Sequence, residues 1–90
     1  MIIKDIKVGV MVAAGQALDY KKKKPNADIE EIMRYILSNV QANDNARRGV
    51  VAGATKAVAY RDQNTKMSDK EIMQRIMDEV SDIASSLEEE

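Results

Sequence analysis

Ile3, Ile6, Val10, Ala13, Ala17 and Tyr20 are spaced by three or four residues, a rhythm that keeps one stripe on one side of a helix. Ala46, Val50, Gly53, Ala57 and Tyr60 repeat that rhythm later in the chain. Each stripe of small residues is followed by one of larger side chains. The first comprises Ile29, Ile32, Met33, Ile36, Leu37 and Val40; the second comprises Ile72, Met73, Ile76, Met77, Val80, Ile83 and Leu87. The pattern predicts four helices over roughly 4–23, 28–41, 45–62 and 68–87, with ends good to about two to four residues. Short polar segments separate them, so successive helices should run antiparallel.

Start and stop signals agree with these spans. Asp28 with Glu31, and Ser68 with Glu71, stand three residues apart at two helix starts; the second is a capping box and the first an acidic relative of it. Pro25 closes the first helix, "QANDN" separates the halves, and Asp44 or Asn45 is the expected third cap. Met67 is placed to staple onto Ile72.

The two halves also match residue by residue. Shifted by 40 positions without gaps, residues 9–40 and 49–80 share ten identities. They are Gly9/Gly49, Val10/Val50, Ala14/Ala54, Ala17/Ala57, Tyr20/Tyr60, Glu31/Glu71, Ile32/Ile72, Met33/Met73, Ile36/Ile76 and Val40/Val80. Unrelated sequences of ordinary composition would share about two or three over that length. The period resembles that of HEAT-type units in length and helix count alone, without their sequence signatures, and implies no functional residue. Such arrays need about three units to bury a continuous core. Two units can instead close on each other, and the expected fold is all-α: a four-helix up-and-down bundle of two tandem 40-residue helical hairpins with a pseudo-twofold axis. Repeat 1 covers about 4–43 and repeat 2 about 44–87 of a single domain, with 88–90 an acidic tail.

The small-residue stripes point to close packing. Gly in a helix interior costs about 1 kcal/mol relative to Ala, so Gly9, Gly15, Gly49 and Gly53 need compensation, and a near approach of two backbones is the natural one. Gly9, Ala13, Ala17 and Tyr20, with Gly49, Gly53, Ala57 and Tyr60, are therefore the expected helix-packing or dimer seam.

Composition narrows the chemistry. The 90 residues contain no Cys and no His, which removes thiolate nucleophiles, disulfides and the usual general base and transition-metal ligand. A di-metal site built on the carboxylates Glu30, Glu31, Glu71, Asp78 and Glu79 would need the absent His, so caps and solvated faces account for them. No catalytic residue, cofactor or metal is expected, and Tyr20 and Tyr60 should pack their rings and turn their hydroxyls to water or a carbonyl. No apolar stretch approaches the roughly 18 residues of a membrane span. The apolar N-terminal run is not read as a signal peptide, because Asp5 interrupts its basic flank and a related stretch recurs mid-chain.

The formal charge is −1 overall, divided as +2 over residues 1–43 (seven basic, five acidic) and −3 over 44–90 (seven basic, ten acidic). Lys21, Lys22, Lys23 and Lys24 complement the negative end of the first helix dipole. Arg47 and Arg48, early in the third helix, stand where cations are disfavoured and so raise the prospect of an anionic contact. These six residues are the candidate anion or nucleic-acid contacts, although an antiparallel bundle puts the two clusters at opposite ends and no aromatic platform accompanies them. The expected function is a small, cytoplasmic, non-catalytic protein–protein interaction or regulatory module that binds a protein partner or itself as a homodimer. The alternative is weak nucleic-acid binding by residues 21–24. The six methionines include the matched pair Met33 and Met73, which fill core or offer an adaptable surface.

Overall fold

Each helix begins where a side chain caps it. In the computed structural model, which describes residues 2–88, α1 spans Ile6–Lys23, α2 Ile29–Asn39, α3 Asp44–Gln63 and α4 Asp69–Glu88. The Asp5 carboxylate accepts from the amides of Lys7 and Val8, so this acidic residue is the first cap. Asp28 accepts from the Glu31 amide at 2.9 Å. At α4 the box closes reciprocally, the Ser68 hydroxyl accepting from the Glu71 amide and the Glu71 carboxylate from the Ser68 amide. The cap of α3 is Asn43, whose side chain accepts from the Ala46 amide at 2.8 Å; Asp44 is the first helical residue instead. The helix therefore starts one residue earlier than the polar run suggests.

Helices α1 and α3 lie side by side and parallel. Their N-terminal leads meet in an isolated parallel bridge, the Ile3 amide donating to the Gln41 carbonyl and the Asn43 amide to the Ile3 carbonyl. Farther along, Gly49 faces the backbone of Ile6, Gly9 faces that of Ala46, and Gly53 faces that of Val10. A Cβ on Gly9 would come within 2.7 Å of the Ala46 carbonyl oxygen, and one on Gly49 or Gly53 would fall inside the carbonyls of Ile6 and Val10. These glycines are compensated by backbone contact rather than by side-chain packing. Gly15 differs, since a Cβ there would meet only the methyl end of Met73 at 3.9 Å.

The outer helices run antiparallel to this pair. The start of α2 meets the end of α1 through Tyr20 and Glu31, and the end of α4 meets the start of α3 through Arg48 and Leu87. Each outer helix packs on both α1 and α3, and among the described residues the backbones of α2 and α4 stay apart. A bundle of square section would put α1 and α3 on opposite corners; here that diagonal is closed, because small side chains let the two backbones meet. The result is 32 × 27 × 21 Å in extent.

The core follows the stripes. The largest fully buried side chains are Ile32, Ile36, Ile72, Ile76, Val10 and Val50. Leu18, Ala13, Ala14, Ala17, Ala54 and Ala57 fill the space between them, and Met33, Met67 and Met73 pack against its edge. No polar or charged residue is buried as a whole among the described residues.

Candidate functional site

The basic run ends α1 beside the end of α3 and the start of α4. Lys21 is drawn inward: its ammonium lies 3.1 Å from Asp62 and donates to the Pro25 carbonyl at 3.0 Å, leaving 11% of its side chain exposed. Lys24 lies 3.9 Å from Glu31 and over the Tyr20 ring. Lys22 and Lys23 are exposed. Arg61, which stands 40 residues after Lys21, joins this end of the molecule, where it donates to the Met67 carbonyl and pairs with Asp69. Lys21, Lys22 and Arg61 line a cleft of about 410 Å³ with Leu18, Ser68 and Asp69. The approach of Arg61 to the basic run depends on α1 and α3 being neighbours, which spacing along the chain does not specify.

Arg47 and Arg48 lie at the other end. Arg47 is exposed, whereas Arg48 donates to the Leu87 carbonyl in the last turn of α4. An arginine that is out of place for its own helix dipole thus meets the negative end of the neighbouring one. The two basic clusters form no common groove.

The seam residues divide by position. Gly9, Ala13, Ala17, Gly49, Gly53 and Ala57 are buried, with the three glycines in backbone contact across α1 and α3. Tyr20 and Tyr60 are half-buried, and their hydroxyls donate to carboxylates: Tyr20 to Glu31 at 2.6 Å, Tyr60 to Glu79 at 2.6 and 2.8 Å. Their hydroxyl protons thus go to carboxylates rather than to a backbone carbonyl, and these two glutamates do more than cap or solvate a helix. The rings differ in surroundings as well. Tyr20 stacks at a tilt on Tyr35 at 4.7 Å, while Arg75, 40 residues beyond Tyr35, lies over Tyr60.

Both phenols are held above their usual pKa of 10.0, first by the hydrogen bond to Glu31 or Glu79, then by burial and by the carboxylate's charge; Lys24 and Arg75 act in opposition. A group whose folded pKa is raised contributes stability that is whole below its unfolded pKa and disappears as pH climbs through the folded one. Stability should therefore decline above about pH 10, and the Tyr20→Phe, Tyr60→Phe double variant should show a shallower decline in urea unfolding across that range. Equal slopes would mean that these phenols do not couple to folding.

The exposed apolar side chains occur outside the seam. Val8 (49%), Val51 (41%), Leu37 (37%) and Met77 (54%) leave much of their surface open. Met73 lies against Gly15, and the antiparallel course of α1 and α4 carries Met77 one turn along toward Met11. Leu37 belongs to α2 and Val51 to α3. Leu37 and Met77 stand 40 residues apart, as do Met11 and Val51.

Two smaller features complete the surface. Lys56, Glu79, Asp82, Ile83, Ser86 and Leu87 border a cleft of about 350 Å³ between α3 and α4. Gln16 borders one of about 190 Å³ beside Tyr20 and Tyr35, but its unpartnered amide oxygen is sealed from solvent. Among the described residues no group of three or more His, Cys, Asp or Glu is placed to hold a metal ion, and no helix is long and apolar enough to cross a membrane. No family model matches the chain, and no curated protein or solved structure matches it.

Proposed function

We propose that this protein is a cytoplasmic, non-catalytic interaction module that works as a homodimer, built from a helical hairpin written twice in tandem. The duplication is supported by the core. Its largest fully buried side chains are three pairs separated by 40 residues: Val10 with Val50, Ile32 with Ile72 and Ile36 with Ile76. The seam supports it too, because Ile6 opposite Gly49 and Gly9 opposite Ala46 are one contact seen from either half. Such reciprocity is the mark of an isologous interface.

The observation that carries the interaction reading is the exposure of the large apolar side chains Val8, Leu37, Val51 and Met77, one on each helix. Large apolar side chains left in water beside partly buried methionines suit a protein surface that closes on another. A chain of this size also buries a modest fraction of its surface alone, so association adds stability. The nucleic-acid reading has less support, since Lys21 and Lys24 are engaged by Asp62 and Glu31 and the arginines stand at the far end.

Sedimentation across a concentration series tests the proposal. A reversible dimer is expected, with Met77→Glu or Leu37→Glu shifting it to monomer while helical content is kept. A chain still monomeric at about 1 mM would have less than about 4 kcal/mol of self-affinity, which would overturn the homodimer; a dimer untouched by both substitutions would overturn the faces assigned to it.

A further inference from the structure

No further inference is drawn: the strongest candidate, the basic cleft where Lys21, Lys22 and Arg61 meet the start of α4, contains nothing that points to a ligand, since Lys21 and Arg61 are already matched within the fold by Asp62 and Asp69.

Discussion

Gly53→Leu should destabilise the domain by about 3 kcal/mol or more, at the upper end of the overpacking range. Its first side-chain carbon has no room, because the obstacle is the Val10 carbonyl of a parallel helix. A crowded side chain escapes by changing rotamer; a crowded backbone yields only if α1 and α3 separate along their length. For a domain of this size each kcal/mol corresponds to about 4–8 °C in Tm, so a loss of more than about 12 °C is expected in a thermal melt followed by circular dichroism. Gly15→Ala is the internal comparison. It replaces a glycine of the same helix pair whose added Cβ would make only ordinary contact with the Met73 methyl, and should stabilise by about 0.5–1 kcal/mol through helix propensity and a less disordered unfolded chain. Equal losses at both positions would show that α1 and α3 do not meet backbone to backbone at Gly53.

The second large effect belongs to the isoleucine layer. Ile76 is fully buried and its neighbour in sequence, Met77, is 54% exposed. Ile76→Ala should cost about 2–5 kcal/mol, the sum of lost transfer energy and the cavity left behind. Met77→Ala should change folding stability by less than about 0.5 kcal/mol, while weakening self-association if its face is the dimer contact. Urea titrations of the two variants separate these outcomes through their midpoints. Similar midpoints would mean that α4 does not turn Ile76 inward and Met77 outward.

Much of this was legible in the chain. Apolar spacing marked all four helices to within two residues at each end, because a wide stripe with a cap at its start leaves few registers open. Gly9, Gly49 and Gly53 announced a close seam, since an uncompensated glycine in a helix interior is costly. What spacing does not encode is which elements become neighbours. The same stripes suit a square bundle or one with α1 and α3 in contact, and the choice is made by how far two backbones can approach, a property of the assembled pair. The tyrosines illustrate the same limit. Tyr20 bonds Glu31, 11 residues on, but Tyr60 reaches Glu79, 19 residues on, rather than the matching Glu71. Identical residues at matched positions thus found different partners: Glu71 closes the capping box with Ser68, and Glu79 stands where the first half has Asn39. Arg48 was legible as an anomaly, and its answer at Leu87 lay 39 residues away.

The glycine and alanine seam has a thermodynamic consequence. Gly and Ala have no side-chain rotamer freedom to lose, so holding this interface in place freezes backbone alone, whereas each buried methionine or lysine forfeits up to about 2 kcal/mol in rotamer entropy. The conformational freedom of the folded molecule is accordingly concentrated in the long side chains of its periphery, Met77, Lys22 and Lys23 among them, around an axis that has almost none.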